Sequence, residues 1–297
     1  MDCSGAFSRF RKLLTANKPT YNSHFVALLL KNYKTPYDNY GFVTLADPAP
    51  VLCYPIATGE LRMLVAVPDP LPSNANGDLK KFMKNKIQPQ LPVFLRASFE
   101  EALNEPLRSV PCQKLTAFAI RRRGAFCVGD SLNMRHPLTG GGMTVAFSDV
   151  CIISKILSRF DDLSDRDKVT DALDSFYKER TPTASTINIL SHALYDVFCG
   201  SQANEALGPV KDACFDYFPN NGTYCLAILG AYNPSPISLT YHFFSVAALA
   251  AWNLLFPIPT PSRIVQAFRA FKASFFIIQP LIVENFFHSK FKRFSDI

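Results

Sequence analysis

The chain has 297 residues, of which 48% are hydrophobic and 26 are phenylalanine, so it can form a large buried core. With a mean hydropathy of +0.07, this composition excludes a largely disordered chain and indicates some apolar surface that meets lipid or an apolar ligand. Lys and Arg outnumber Asp and Glu by 31 to 24, and the net charge of +7 suits an anionic membrane, nucleic acid or a phosphate-bearing ligand equally well.

The cysteines and the N-terminal residues narrow the class of protein. The eight cysteines form no CxxC and no CxH pair, so neither a metal site nor a disulfide scaffold is expected, and a reducing compartment fits best. No apolar h-region follows Met1, and we expect no signal peptide. No nucleic-acid-binding motif accompanies the positive charge, so nucleic acid is not expected as a partner.

Four short apolar runs lie between turn-forming residues in the first quarter of the chain, at 24–30, 42–46, 51–56 and 61–67. Short strands at this spacing predict an antiparallel sheet. Residues 80–87 and 95–103 are predicted to be short surface helices, and Ser98 with Glu101 resembles a capped helix start.

A strand, a glycine-rich loop and a helix are predicted next. Residues 125–128 are apolar and end at Gly129 and Asp130, and a polar loop leads from there to three glycines at 140–142. Residues 143–157 then carry apolar side chains at helical spacing.

The predicted loop contains residue types that suit a flat ligand with hydroxyl groups. A carboxylate at the end of a strand, here Asp130, can accept hydrogen bonds from ribityl or sugar hydroxyls. Glycines allow close approach of the backbone, and the N-terminus of the following helix favours an electron-rich ring or a phosphate. Taken alone the pattern is weak, and an ordinary structural turn is the simpler interpretation.

The second half of the sequence is predicted to be helical. A helix over 165–199 is expected to be interrupted at Thr181 and Pro182, and residues 219–222 are expected to form a turn. Residues 237–256 carry no charge and are long enough to cross a bilayer, whereas 264–287 carry scattered charges that favour an interfacial position. With the basic residues at 290–293, these segments favour membrane contact, and buried core helices are the alternative.

The complete run at residues 129–143, GDSLNMRHPLTGGGM, resembles the flavin-contacting segment of the squalene monooxygenase (squalene epoxidase) family, FAD-dependent enzymes of the p-hydroxybenzoate-hydroxylase-like superfamily. Only Ser131 departs from the family's run, which has Ala there. The resemblance covers nearly the whole chain and continues at residues 8–12, 23–26, 164–169, 194–195, 214–218 and 242–244.

The resemblance implies an α/β fold, namely a partial FAD-dependent monooxygenase fold with an antiparallel substrate-domain sheet and membrane-associated C-terminal helices. It divides the chain into a partial FAD domain with the substrate-domain sheet (1–120), the flavin-contacting loop and helix (121–160), a helical substrate-pocket region (161–235) and the C-terminal helices (236–297).

The resemblance also implies roles for individual residues. The positions expected to contact FAD are Gly129, Asp130, Gly141, Gly142 and Met143. The positions expected to line the substrate pocket are Pro137, Leu138, Phe198, Phe215, Phe218 and His242; without the resemblance, the three phenylalanines would be interpreted as core residues. No catalytic residue is assigned, because the family's active-site Tyr has no counterpart in this sequence.

The implied reaction inserts one oxygen atom into a terminal double bond of squalene and gives 2,3-epoxysqualene. Electrons from NADPH reach FAD through NADPH–cytochrome P450 reductase. The implied location is the cytoplasmic face of the endoplasmic reticulum membrane, where lipid is a further partner, and we expect deletion of everything after Asn233 to release the chain from it.

The sequence departs from the family in its FAD cradle. It contains no GxGxxG, and Ser4 with Gly5 aligns with the family's Asp-Gly pair. The chain therefore resembles the C-terminal part of the enzyme, and we expect it to bind FAD weakly or not at all by itself. Two alternatives remain: a non-catalytic, membrane-bound protein that binds apolar ligands, and a structural membrane protein without a ligand.

Overall fold

The structure, a computed structural model, describes residues 1–15, 17–37, 40–120, 122–200, 204–229 and 236–287, so the basic residues at 290–293 lie outside the described residues. The chain divides into two compact units. One unit is Tyr21–Cys112, and the other combines Met1–Thr20 with Gln113–Ile297. The four-part division expected from the sequence stays a prediction.

The first unit contains a five-stranded sheet with the strand order β2-β3-β4-β1-β5. Neighbouring strands from β2 to β1 pair antiparallel, which confirms the predicted sheet. The strands are β1 (Thr20–Lys31), β2 (Phe42–Thr44), β3 (Val51–Ala57), β4 (Glu60–Pro68) and β5 (Arg108–Lys114).

Helices make up most of the second unit. The described residues form α1 (Arg11–Leu14), α2 (Asp78–Phe82), α3 (Val93–Ala102), α4 (Gly142–Leu157), α5 (Arg166–Gly200), α6 (Gly208–Leu229), α7 (Pro236–Leu255) and α8 (Pro261–Ile282). Of these, α2 and α3 belong to the sheet unit. Two π-helical turns continue α2 and α8, at Met83–Ile87 and Val283–Phe287.

One face of the sheet packs against α2 and α3. Leu28 and Leu30 of β1 lie in one buried cluster with Phe99 of α3. Leu79 and Met83 belong to the same cluster, and their spacing of four residues places them on one face of a helix. The predicted helix at 95–103 is confirmed as α3, but Ser98 does not cap its start. The helix begins directly after Pro92, which needs no hydrogen bond for its own nitrogen, and its first turn already buries Leu95.

Two prolines lie inside continuous helices, so the predicted interruption at Thr181 and Pro182 and the predicted turn at 219–222 are wrong. Near Pro182, Thr186 Oγ1 donates to the carbonyl of Pro182 at 2.7 Å. In α6, the side-chain amides of Asn220 and Asn221 donate to the carbonyls four residues earlier, at 3.4 and 3.2 Å. Each helix thus continues although the proline nitrogen donates no helical hydrogen bond.

The apolar run at 125–128 does not form a full strand. Cys127 makes only an isolated parallel bridge with Asp2, held by hydrogen bonds from Asp2 N to Phe126 O at 2.8 Å and from Val128 N to Asp2 O at 2.9 Å. The run still ends where the sequence predicts, at the turn Gly129–Ser131.

The C-terminal helices α7 and α8 confirm the helical prediction for this region. One side of α8 buries small residues, among them Ala267, Ala270 and Ser274, whereas its other side exposes Phe268 and Phe276. The segment Ile237–Leu255 is long and apolar enough to cross a membrane, and only 22% of it is buried. Both helices thus present apolar surface outward.

Candidate functional site

The turn Gly129–Ser131 is fixed by its own backbone and by Ser131. Gly129 has a φ of +63°, which an L-residue with a side chain rarely adopts. Its carbonyl accepts hydrogen bonds from the amides of Leu132 and Asn133, both at 3.0 Å. Ser131 is fully buried, and its hydroxyl lies 2.7 Å from Val128 O and 2.8 Å from Asp2 O. The hydroxyl thus supplies a bond that an Ala at this position cannot make.

A second turn, near the N-terminus, lies against the first. The buried carboxylate of Asp2 accepts hydrogen bonds from Ser4 N at 3.0 Å, Ser4 Oγ at 2.6 Å and Ser8 Oγ at 2.6 Å. Burial favours the neutral form of Asp2, but these hydrogen bonds together outweigh it and hold its pKa below the usual value. Ser4 aligns with an Asp of the family that the sequence resembles. In the structure, Ser4 is hydrogen-bonded to the carboxylate of a nearby acid, Asp2.

Arg11 joins the two turns. Its side chain is buried, with Nε 3.1 Å from Ser131 O and Nη2 3.3 Å from Asp130 O. The same Nη2 donates to Gly5 O at 3.0 Å and Ala6 O at 2.6 Å. A guanidinium has several donors in a fixed plane, which suits it to hold two backbone segments at once. The sequence analysis did not single out Arg11, because its role depends on contacts more than a hundred residues apart.

The side chain of Asp130 points into solvent from this clamped turn. Asp130 is exposed, and no hydrogen-bond donor contacts its carboxylate among the described residues. The carboxylate is therefore accessible from solvent, and its expected contact with FAD stays a prediction.

Asn133 lies at the centre of a buried polar network behind the loop. Its Nδ2 donates to Leu115 O at 2.7 Å, and its Oδ1 accepts from Arg135 at 2.9 Å, Arg180 at 3.4 Å and Asn188 at 3.3 Å. The network fixes the backbone that follows Asp130 against α5, and it was not predicted.

The network extends to α4 and to the end of α8. Arg180 makes a two-pronged ion pair with Asp149 of α4, with both distances 2.9 Å. Asn188 donates to Asn285 Oδ1 at 3.1 Å. Next to it, Glu284 accepts from Lys114 Nζ and Thr116 Oγ1, both at 2.5 Å. The end of α8 is therefore part of the framework behind the loop.

His136 is a neutral structural residue. Burial lowers its pKa to about 3, and its Nδ1 accepts a hydrogen bond from the amide of Leu138 at 3.2 Å. The ring stacks on Tyr195 with a centroid distance of 3.9 Å. It was left out of the predicted site, and its geometry indicates a packing role.

The three glycines have different surroundings. Gly140 has a φ of +65°. A Cβ at Gly141 would lie 2.5 Å from Ile187 Cγ2, whereas a Cβ at Gly142 would lie 3.7 Å from its nearest neighbour, Arg135 Nη1. Gly141 is thus needed for packing against α5. Gly142 begins α4, and the first turn of α4 has neither a side-chain cap nor an acidic residue.

Beyond Gly142, α4 exposes an apolar stripe. Met143 is 70% exposed, and Phe147, one helical turn later, is 67% exposed. Large apolar side chains so exposed on the helix that follows the loop indicate a surface that a ligand or another part of the protein covers.

The predicted substrate residues differ in burial, and their grouping into one pocket stays a prediction. Leu138 and Phe198 are buried, and Pro137 and Phe215 are exposed. Phe218 and His242 are half-buried on α6 and α7. His242 Nδ1 lies 2.5 Å from the hydroxyl of the neighbouring Tyr217, a contact that sequence reasoning missed.

Comparison with solved structures identifies the fold as that of FAD-dependent monooxygenases. HpxO of Klebsiella pneumoniae, crystallised with FAD and uric acid, matches 79% of this chain and 59% of its own with a TM-score of 0.62 at 12% identity. PqsL of Pseudomonas aeruginosa, described as a probable FAD-dependent monooxygenase, matches 69% of this chain and 57% of its own with a TM-score of 0.50 at 20% identity. The predicted α/β monooxygenase fold with an antiparallel sheet is confirmed, whereas membrane association of the C-terminal helices stays a prediction.

Sequence comparison gives the particular family. A family model for squalene epoxidase matches residues 1–266. Squalene epoxidase 1 of Arabidopsis thaliana is 42% identical over 94% of this chain and 54% of its own length, and squalene monooxygenase of Rattus norvegicus is 40% identical over 84% and 43%. The chain belongs to the squalene epoxidase family and spans about half the length of the curated relatives it matches.

Proposed function

We propose that this chain carries the flavin-contacting loop and the substrate side of an FAD-dependent squalene epoxidase, which converts squalene to 2,3-epoxysqualene. The observation that carries the proposal is the carboxylate of Asp130, which is exposed and accepts no hydrogen bond from the described residues. It stands on a turn that Arg11 clamps from behind, in the same run of sequence as the uncapped N-terminus of α4. Family membership supports the same reaction.

The residues present fit FAD at this loop. Asp130 would accept hydrogen bonds from flavin hydroxyls, while Gly129 and Gly142 keep the backbone free of side chains and Met143 offers apolar contact. Gly141 would act indirectly, by seating the loop on Ile187. FAD, when bound, supplies the redox chemistry that activates molecular oxygen. The chain's own contribution is to orient the ring and to exclude water around it.

The substrate surface is proposed to consist of Pro137 and Leu138 next to the loop, with Phe198, Phe215, Phe218 and His242 along α5–α7. Aromatic and aliphatic walls stabilise a long polyene by burial alone, at about 25 cal/mol per Å² of apolar area. The hydrogen bond between Tyr217 and His242 pairs two of the polar groups there, which reduces their cost next to an apolar ligand.

Membrane association is proposed for α7 and α8, at the cytoplasmic face of the endoplasmic reticulum, with NADPH–cytochrome P450 reductase as the electron donor. The outward aromatic residues of α8 and the apolar length of α7 support lipid contact. A membrane location also brings the enzyme to squalene, which is apolar.

The test combines this chain with the segment of Arabidopsis squalene epoxidase 1 that precedes the matched region, because the chain spans only about half of that relative. Membranes with both pieces receive FAD, NADPH, the reductase and squalene, and epoxide is measured by mass spectrometry. We expect epoxide only when both pieces are present. Squalene binding without any epoxide in the combined sample would favour the non-catalytic apolar-ligand protein instead.

Two variants of the combined enzyme separate the flavin and substrate sides. Asp130→Ala removes a charge-assisted hydrogen bond of about 1.5–3 kcal/mol, so we expect FAD affinity to fall roughly tenfold to a hundredfold. Phe218→Leu should weaken squalene binding and leave flavin content unchanged. Asp212→Ala, which removes an exposed carboxylate on α6, is the control. Flavin loss in Phe218→Leu with full flavin in Asp130→Ala would reverse the assignment.

Membrane association is better tested by substitution than by deletion after Asn233, since a deletion also removes Glu284 and its bonds to Lys114 and Thr116. We expect the double variant Phe268→Ser/Phe276→Ser to cosediment less with phosphatidylcholine–phosphatidylserine vesicles than the unmodified chain. Phe147→Ser, equally exposed but on α4, should cosediment normally. Equal cosedimentation of all three chains would contradict membrane contact through α8.

A further inference from the structure

Besides Arg11, which clamps the turn at Gly129, two buried guanidinium groups lie behind the glycine-rich loop, and only one of these two contacts an acid. Arg180 is 4% exposed and pairs with both oxygens of Asp149. Arg135 is 7% exposed and donates only to neutral oxygens: Asn133 O and Oδ1, both at 2.9 Å, and Gly142 O at 3.3 Å. Its buried Nε has no hydrogen-bond partner among the described residues.

The charge of Arg135 is therefore poorly matched inside the protein. Burial, with the nearby charge of Arg180, lowers its pKa to about 10, so the group is still a cation at neutral pH. The negative charges of Asp130 and Asp149 oppose this lowering, because they stabilise the charged form of Arg135 from a distance. Asp130 is exposed, so water screens it, and Asp149 is already bonded to Arg180. Buried cations with no close counterion are costly and rare.

The unmatched cation lies directly behind the N-terminus of α4. Arg135 Nη1 bonds to the carbonyl of Gly142, the first residue of this 16-residue helix. The first turn of α4 has no capping side chain and no acid, so its free amides and the positive end of the helix dipole are also unmatched. Two independent sources of positive potential converge at one place.

We infer that Arg135 is the buried countercharge of an anion site at the N-terminus of α4. The inference rests on the proposed function for its ligand, a flavin nucleotide, which has two possible sources of negative charge: its pyrophosphate and its reduced ring. Arg135 does not touch the ligand in this arrangement. It is a positioning residue that acts through its charge and through the backbone of Gly142.

Three variants separate charge from packing. Arg135→Met removes the charge and keeps most of the length, and Arg135→Lys keeps the charge with fewer hydrogen bonds. The double variant Asp149→Leu/Arg180→Met is the control, since it removes the second buried guanidinium together with the acid that balances it.

The experiment measures the thermal unfolding midpoint of the complete 297-residue chain. Each variant is heated in inorganic pyrophosphate, in reduced riboflavin without oxygen at mildly alkaline pH, and in potassium chloride of the same ionic strength. Riboflavin carries the ring and no phosphate, so the two arms distinguish the sources of the charge. We expect at least one of these anions to raise the midpoint of the unmodified chain above that in chloride.

The response of Arg135→Met decides the inference. We expect its midpoint without ligand to equal or exceed that of the unmodified chain, and its anion response to be lost. Arg135→Lys should keep the response. The double variant Asp149→Leu/Arg180→Met should still respond. If Arg135→Met does not fold, the lysine variant decides, and loss of its response overturns the inference.

Two other outcomes overturn the inference: no midpoint shift of the unmodified chain in either anion, or the same shift in Arg135→Met as in the unmodified chain. A response to pyrophosphate but not to reduced riboflavin assigns the site to the phosphates. Epoxide formation by the combined enzyme does not depend on this result, so failure of the inference is distinguishable from failure of the proposed function.

Discussion

The backbone of Gly141 lies so close to Ile187 of α5 that a Cβ at position 141 would be 2.5 Å from Ile187 Cγ2. Because Ile187 is completely buried, it has little room to move. We therefore expect Gly141→Ala to lower the free energy of unfolding by about 1–3 kcal/mol through overpacking. Urea denaturation of the purified chain measures this change.

The neighbouring glycine is the control for this prediction. Gly142→Ala places its Cβ no closer than 3.7 Å to another group, and we expect a much smaller change in stability. Combining Gly141→Ala with Ile187→Ala removes the clash, so the double variant should be more stable than the sum of the single changes predicts. Additive effects would show that the loop avoids the clash by moving.

The ion pair between Asp149 and Arg180 joins α4 to α5, and both side chains are almost completely buried. We expect Asp149→Asn to lower the free energy of unfolding by about 3–5 kcal/mol, because it leaves the guanidinium buried without a counterion. The double variant Asp149→Leu/Arg180→Met should be less destabilised than Asp149→Asn. Equal stability of Asp149→Asn and the unmodified chain would mean that water or another group satisfies Arg180.

Arg11 should control the mobility of the two turns it connects. We expect Arg11→Met to accelerate amide hydrogen exchange of Leu132 and Asn133, whose amides close the turn at Gly129. Lys12→Met is the adjacent control, because Lys12 is exposed and should leave exchange unchanged. Unaltered exchange in Arg11→Met would show that Ser131 alone fixes the turn.

The pH dependence of stability should reveal Asp196. Burial raises its pKa from 3.8 to about 6, although the charge of Lys114 opposes the shift. The folded state thus keeps a proton that the unfolded state loses, so this group's contribution to stability falls as pH rises from 3.8 to about 6 and is constant above. We expect Asp196→Asn to be more stable than the unmodified chain above this interval and similar below it.

Urea denaturation of both chains across this pH range makes the comparison. Other titrating groups affect both chains alike, so the difference between them isolates Asp196. A difference that does not vary with pH would mean that the carboxyl group titrates normally in the folded chain.

Local patterns predicted most of the fold. The alternation of apolar residues and turns gave the strands β1–β4, and helical spacing gave α4, because these signals depend on neighbours in sequence. The continuous helices through Pro182 and Pro219 were missed, since the helix-breaking tendency of proline is local whereas the packing that overrides it is not. Thr186 and Asn220 lie close to the prolines in sequence, but they do not predict continuous helices, because Thr and Asn also favour turns.

The candidate site likewise contains residues that the sequence pattern reveals and residues that only the structure reveals. Gly129 and Asp130 stand out because a strand-ending Gly-Asp pair before a glycine run is visible in the sequence. Arg11 and Asp2 do not, because the loop residue that both contact, Ser131, is more than a hundred residues away. Arg135 lies inside the recognised run, yet nothing in the sequence shows that its charge is buried and that of Arg180 is balanced.

The bridge between Asp2 and Cys127 makes the thiol of Cys127 a natural reporter of the site's integrity. Cys127 has no exposed surface, its Sγ lies 3.7 Å from Asp2 Oδ2, and burial, together with the charge of Asp2, raises its pKa to about 11. A thiol in this state hardly reacts with alkylating reagents. Alkylation of Cys127 therefore requires the N-terminal residues to move away from it. The rate of this reaction at Cys127 measures how often the two turns separate.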